Sequence, residues 1–440
     1  MCKKTLAILF FIFWNASTFA QTTDSNPDSI PIAPAINYPV GAYPWSVFCA
    51  DLDGDGDSDF AVANSFSDSV SILKNNGDGT FQPKVDYGAG DVPVSVFCAD
   101  LDGDSDLDLA VANVESQNIS ILKNNGNGTF QNAVHYPEGG GAPFSVFCAD
   151  LDGDTDLDLA VANSACHSVS ILWNRGDGTF PGIVMYGAGD GPYSVFCADL
   201  NGDNDLDLAV ANYYSDNVSI LKNNGDGTFQ SAMNYGAGGG PHSVFCADLD
   251  GDLGLDLAVT NKYSHDVSIL NNNGNGTFPT AVSYEVGSDP VSVFCADLDG
   301  DVYLDLAVAN RGSNTVSILK NNGDGTFGSP VDYAVGLSPS SVFCADMDGD
   351  GDLDLTVSNL ISDEVSILKN LTYSLTRGDA NRDGMIDIVD IVYVISYLYS
   401  QGSAPAPLWT ADANCDHIIE IGDVVYLINY LLKGGPSPSC

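Results

Sequence analysis

Short apolar runs, alternating or β-branched, recur along most of the chain and are cut by clusters of Gly, Asn and Asp. That rhythm predicts short antiparallel strands. The clearest run is Ser-Val-Phe-Cys-Ala-Asp, whose final residue falls at Asp51, Asp100, Asp150, Asp199, Asp248, Asp297 and Asp346. The period of 49 or 50 residues lies in the range of propeller blades and near no helical repeat. Each unit reads as four strands: the Ser-Val-Phe-Cys-Ala tract, a run such as Asp108–Asn113, a run such as Val70–Lys74, and a fourth ending at the tyrosine of Val85-Asp86-Tyr87. Between the third and fourth, Asn-Gly-Asp-Gly-Thr-Phe or a close variant occurs six times, as at Asn76–Phe81. Its glycines suit the positive-φ positions of a tight hairpin.

The ends of the array matter most. The seventh unit stops at Asn370 without a hairpin or a fourth strand, while Ala35–Gly41 matches Lys84–Gly90 of the first unit. This early segment is predicted to complete the last blade, closing the ring and removing its open edges. A linear solenoid would leave it unexplained. The expectation is a mainly β protein: a seven-bladed β-propeller of four-stranded blades over residues 34–371, preceded by a flexible segment at 21–33.

Each first strand runs into a nine-residue loop, Asp-x-Asp-Gly-Asp-x-x-x-Asp. The oxygen donors at positions 1, 3, 5 and 9 are Asp51, Asp53, Asp55 and Asp59; Asp100, Asp102, Asp104 and Asp108; Asp150, Asp152, Asp154 and Asp158; Asp199, Asn201, Asp203 and Asp207. Then come Asp248, Asp250, Asp252 and Asp256; Asp297, Asp299, Asp301 and Asp305; Asp346, Asp348, Asp350 and Asp354. Such sets suit a hard cation that takes about 6–8 oxygens, calcium rather than magnesium. A single loop of this kind could be a polar turn with capping Asp, but seven of them would repel severely without a counter-ion. Position 6 is Gly56 or Gly351 in two loops but Ser105, Thr155, Asn204, Leu253 and Val302 in the others. If that position requires φ > 0, Leu253 and Val302 are strained there.

Composition sharpens this picture. With 59 acids against 14 bases the net charge is −45, so nucleic-acid binding is excluded in practice. About seven calcium ions in the propeller would relieve the repulsion and couple metal binding to folding. Lys3 and Lys4, the apolar run Leu6–Trp14 and Thr18-Phe19-Ala20 form a secretory signal over residues 1–20. The longest later apolar stretch, Ile386–Leu398, is broken by Asp387 and Asp390, so no membrane insertion is expected and the mature protein should be extracellular or attached to a cell surface. Of eleven cysteines, Cys49, Cys98, Cys148, Cys197, Cys246, Cys295 and Cys344 share one repeat position. They read as buried small residues, not disulfide partners. A pairing of Cys415 with Cys440 stays open.

The aspartate loops on this period resemble the FG-GAP or VCBS repeat of integrin alpha-subunit propellers, some fungal lectins and many exported bacterial proteins. The resemblance covers residues 34–371 and implies calcium binding, with binding or adhesion more often than catalysis; it names no ligand.

A second module occupies 377–434, ahead of a tail at 435–440. Asp379, Asn381, Asp383, Asp387 and Asp390 stand at positions 1, 3, 5, 9 and 12 of an EF-hand-type loop with Gly384 at position 6. A second copy has Asp412, Asn414, Asp416, Glu420 and Asp423, with His417 in place of the turn glycine. Helices are predicted at Ile391–Tyr399 and Val424–Leu432. The duplication resembles a type I dockerin, which implies a cohesin-type partner and one or two further calcium ions. A calcium-binding cap without a cohesin partner is the alternative.

Counting strands puts the aspartate loops and hairpins on one face, uniform from blade to blade. The opposite face varies: Ser164–His167, Tyr213-Tyr214, Lys262–His265 and Arg311–Ser313. The residue inside each Pro-x-Ser is Trp45, Val94, Phe144, Tyr193, His242, Val291 or Ser340, expected at the rim of the channel. Trp45, Phe144, Tyr193 and His242 are candidate ligand contacts; alternatively the ring of side chains only plugs the channel. His135, His167, His242, His265 and His417 are scattered, and no hydrolase or phosphate-binding motif is present. The sequence therefore points to a monomeric, non-catalytic extracellular module that binds a polysaccharide or a cell-surface protein, the alternative being a polysaccharide-active hydrolase or lyase of a cellulosome-like system.

Overall fold

The computed structural model describes residues 29–372, 378, 380, 386–400, 411, 413–414, 418–433, 435 and 438. Expectations for residues 1–20, Asp379, Asn381, Asp383, Asp412, Asp416, Cys415, His417 and Cys440 lie outside them.

After a lone strand β1 (Ile36–Pro39), the first blade is β2 (Pro44–Ala50), β3 (Asp59–Asn64), β4 (Ser69–Leu73) and β5 (Val85–Gly88), hydrogen-bonded in that order. The unit recurs to give seven four-stranded sheets. β3 is buried along its whole length, as a strand enclosed by sheets on both faces must be. Its small face, Ala61 and Ala63, packs on Val96, Cys98, Leu109 and Val111 of the next blade, so alanine in one blade admits the larger residues of its neighbour. The seven repeat-position cysteines are free thiols buried in these seams, where burial pushes their pKa up.

The ring closes as expected. The last sheet runs β1, β28 (Glu364–Leu368), β27 (Asp354–Asn359), β26 (Pro339–Ala345). Ile36 pairs with Ile367 and Tyr38 with Val365, in the register that Val85 and Tyr87 hold against Ile72 and Val70. Closure nevertheless begins before residue 34, inside the segment expected to be flexible. Ile32 bridges to Asn370, Ala33 N donates to Lys369 O (2.8 Å) and Leu371 N to Pro31 O (2.8 Å). In the first blade the corresponding bonds are made by Phe81, Gln82 and Thr80 of the hairpin. Residues 30–33 thus supply the hairpin arm that the seventh repeat lacks. At the other blade seams a strand-four tyrosine meets the next hairpin phenylalanine edge-on, as Tyr38 meets Phe81 at 5.3 Å and 71°. Here Tyr333 donates to Ile30 O at 2.6 Å, and the Ile30 side chain is 2% exposed.

Two helices follow in the C-terminal module, α1 (Ile388–Ser400) and α2 (Ile421–Lys433). Both start three residues before the predicted points. Asp387 accepts from Val389 N (2.6 Å) and thereby caps the end, so the last loop positions are already helical. Asp390 and Asp423 then sit in the first turns, where a negative charge is favoured. Val394, Leu427, Val424 and Ile391 form the core of the module.

Candidate functional site

The propeller has two faces of opposite character. On one, each nine-residue loop folds around its own carboxylates. Asp51 accepts from Gly54 N (2.7 Å) and Gly56 N (3.0 Å), while Asp55 accepts from Asp57 N (3.1 Å). Asp59 is fully buried; one oxygen accepts from Leu52 N (3.2 Å), the other from Asn75 N (2.8 Å). The loop therefore turns its first, third and ninth side chains toward one point. Their oxygens lie within 4.8 Å of one another for Asp51, Asp53 and Asp59, and likewise for Asp100, Asp102 and Asp108, Asp150, Asp152 and Asp158, Asp248, Asp250 and Asp256, and Asp297, Asp299 and Asp305. Position 5 lies outside these tightest groups. Asp199, Asn201, Asp203 and Asp207 repeat the pattern of turn bonds in blade four, and Asp346, Asp348, Asp350 and Asp354 do so in blade seven.

Whether a cation fits can be tested on the oxygens themselves. Lys74 pairs with Asp53 Oδ2 at 3.1 Å, Lys123 with Asp102 Oδ2 at 2.8 Å and Lys369 with Asp348 Oδ2 at 2.9 Å. In each case the other oxygen, Oδ1, is buried and has no hydrogen-bond partner, an arrangement costly unless something accepts its lone pairs. The ninth-position carboxyls report the same strain. Burial first, then the neighbouring carboxylates, push Asp59, Asp207 and Asp256 up to about 6 and Asp108, Asp158, Asp305 and Asp354 to about 7. A hard, oxygen-seeking divalent cation satisfies both features.

Position 6 does require φ > 0, from 70° at Asn204 to 96° at Gly56. Leu253 sits at 73° and Val302 at 75°, both largely exposed, so nothing but the loop holds them there. Val302→Gly should raise the propeller's stability by about 1–2 kcal/mol, read as an upward shift of the unfolding midpoint in calcium; an unchanged or lowered midpoint would contradict the strain.

One component escaped sequence reasoning. Asn75 Nδ2 donates to Met347 O of the preceding blade at 2.8 Å, and Asn124, Asn174, Asn223, Asn272, Asn321 and Asn370 repeat the bond to Leu52, Leu101, Leu151, Leu200, Leu249 and Leu298 at 2.7–2.8 Å. Each acceptor is the second residue of an aspartate loop. The loops are therefore tied to one another around the whole ring. The signal was an invariant Asn directly after strand three, but its partner is some 72 residues away.

On the opposite face the rim residues do converge. Every first strand carries a register shift between Pro and Ser, as at Pro44 and Ser46, and this bulge turns the intervening side chain out of the ladder. Trp45, Val94, Phe144, Tyr193, His242, Val291 and Ser340 consequently line an open depression. Beneath them Phe48, Phe97, Phe147, Phe196, Phe245, Phe294 and Phe343 form a complete ring, neighbouring centroids 4.7–4.9 Å apart. These phenylalanines line the channel, each keeping part of its surface exposed. Phe144, Tyr193 and Tyr213 stack at 4.2 and 4.4 Å, Tyr213 donates to Tyr263 Oη (2.6 Å), and Tyr43 stacks on Phe66 at 4.3 Å. His242 is buried; that burial, then Arg311 and Lys262, lowers its pKa to about 3. It is a neutral part of the wall, its Nδ1 2.7 Å from Val291 O.

The other described histidines have structural partners. His167 and His265 accept backbone N–H groups of the following blade at 3.0 Å, as Asp68 and Asp216 do in theirs. His135 contacts Ser120 Oγ at 2.9 Å, where blade one has Asp86.

Fold and loops together define a seven-bladed propeller with an acidic loop face and an aromatic mouth. The chain belongs to the FG-GAP-like repeat family, whose profile matches residues 51–111, 100–161, 150–210, 199–259, 254–308 and 297–357. Residues 377–432 match the Dockerin type I domain. Dockerin type I domains bind calcium and dock to cohesin domains, and dockerin proteins are typically extracellular cellulosome components. Among solved structures the chain is similar to BBS1N in complex with ARL6DN (16% identity, 78% of this chain and 97% of that one, TM-score 0.57). It is also similar to virginiamycin B lyase from Staphylococcus aureus (12%, 76% and 98%, 0.54) and to an Agrocybe aegerita lectin described as recognising non-reducing terminal N-acetylglucosamine (23%, 72% and 86%, 0.50). These likenesses concern the fold. No curated protein matches the chain in sequence. No helix among the described residues is long and apolar enough to cross a membrane.

Proposed function

We propose that this is a secreted, non-catalytic binding protein. Its aspartate loops each hold calcium through positions 1, 3, 5 and 9; its aromatic mouth takes an extracellular ligand, carbohydrate or surface protein; its dockerin moors it to a cohesin-type partner. The observation that carries the reading is the aromatic cluster on the variable face, from which Phe66, Tyr214 and Tyr263 stand mostly exposed. Aromatic side chains left open to solvent on the variable face suit a ligand. His135, His167 and His265 are engaged in structural contacts and are not offered as acid–base groups. In the dockerin, Ile388, Val392 and Tyr399 on α1 and Ile421, Val425 and Leu432 on α2 are exposed. They form two equivalent apolar stripes 33 residues apart, as a duplicated docking surface requires.

The test is retention of the full chain on immobilised polysaccharides and surface proteins, in calcium and in chelator. Retention of one class in calcium, lost on Tyr214→Ala with an unchanged melting temperature, is the expected outcome. Release of reducing ends from a glycan would replace this reading with a polysaccharide-active enzyme.

A further inference from the structure

Arg311 follows the second strand of the sixth blade (Asp305–Asn310) and reaches over the mouth, its guanidinium carbon 4.9 Å from the centre of the Trp45 ring. Tyr43, Tyr213, Tyr193 and Asp289 surround it electrostatically. Its Nε and Nη2 are buried, and neither has a hydrogen-bond partner. Among the described residues no ion pair includes it; the nearby Asp289 carboxylate stands 3.6 Å from His265. A guanidinium cannot shed its charge, so two buried N–H groups without an acceptor are a standing cost to the fold. A stability role would have supplied an acceptor.

The acceptor that matches this fork is a carboxylate, held by two parallel N–H bonds. A second cation is close by: Lys262 Nζ lies 5.9 Å from the Tyr213 ring and 6.0 Å from Tyr263. Around both stand flat aromatic faces, of which Tyr214 and Tyr263 are mostly exposed. An aromatic face offers apolar area to the C–H face of a pyranose, which an acidic peptide side chain does not need. The net charge of −45 sets a further limit. A polyanion would be repelled by the molecule as a whole, whereas one carboxylate meets only the local pair of cations.

We propose that the mouth binds a glycan bearing an isolated carboxylated sugar, Arg311 taking the carboxylate and the exposed faces of Tyr214 and Tyr263 taking the ring. This rests on the binding function proposed above and narrows its ligand.

The probe is an oligosaccharide ending in glucuronic acid, titrated calorimetrically into the full chain in calcium, beside its methyl ester and its glucose-terminated counterpart. The acid should bind at least about tenfold more tightly than either, the weight of a charge-assisted hydrogen bond. Arg311→Gln should abolish that preference, and Lys262→Gln should reduce it. The ester comparison needs no variant, so misfolding of Arg311→Gln leaves the test intact. Equal binding of acid and ester would overturn the carboxylate site while preserving a glycan-binding mouth. No binding of any glycan by the folded protein, or binding of an aspartate-rich peptide instead, would overturn both.

Discussion

Chelating calcium at pH 7.5 is expected to lower the propeller's melting temperature by about 20–30 °C. Each site saturated at about a hundred times its dissociation constant contributes roughly 2.7 kcal/mol, and a domain of this size converts the sum of seven into such a shift. The loss should be cooperative, because the asparagine bonds from Asn75 round to Asn370 tie each loop to the next. The pH dependence has a definite sign. Without metal, the ninth-position carboxyls are raised from 3.8 to about 6–7. Their contribution to metal-free stability is therefore fully present below pH 4 and lost as pH rises through about 6–7. Calcium needs them ionised, so the gap between calcium and chelator melts should widen steadily from pH 5 to pH 8. A gap that narrowed over this range, or a melt indifferent to chelator, would remove calcium from the account.

Deleting residues 30–40 should cost about 6–10 kcal/mol and make the protein self-associate. The segment buries Ile30 and Val40, packs Ile32 against the sixth and last blades and Tyr38 against the first and last, at roughly 1.5–2.5 kcal/mol for each side chain. Without it, the Glu364–Leu368 strand becomes an exposed edge able to pair with another chain. Urea midpoints and sedimentation would report both effects, and a peptide spanning residues 29–41 should restore the monomer. A deletion variant as stable and as monomeric as the parent would show that the closing strand is dispensable.

What the sequence revealed follows from repetition. A side chain that recurs every 49 or 50 residues declares its role seven times over, so the strands, the aspartate loops, the buried cysteines and the strand that closes the ring were all legible. Contacts across the period were not. Phe48 is visible in the first strand, but only closure brings it within 4.9 Å of Phe343. Ile30 resembles nothing at the equivalent hairpin position, where blade one has Gly79, because it substitutes by filling space and offering its carbonyl to Tyr333. The unusual φ of Leu253 and Val302 could be stated only as a condition, since residue type opposed it. Arg311 occurs once, in a loop, and without a period a residue gives no hint of what it reaches.

The anchoring of Asn370 and Thr372 to Leu298 has a consequence for display. The chain leaves the propeller beside the aspartate loops, at the same edge where Pro31 meets Leu371. Thr372 therefore lies on the far side of the propeller from the Trp45 rim. A pull on the chain beyond Thr372 would thus load the aspartate-loop side, opposite the Trp45 rim.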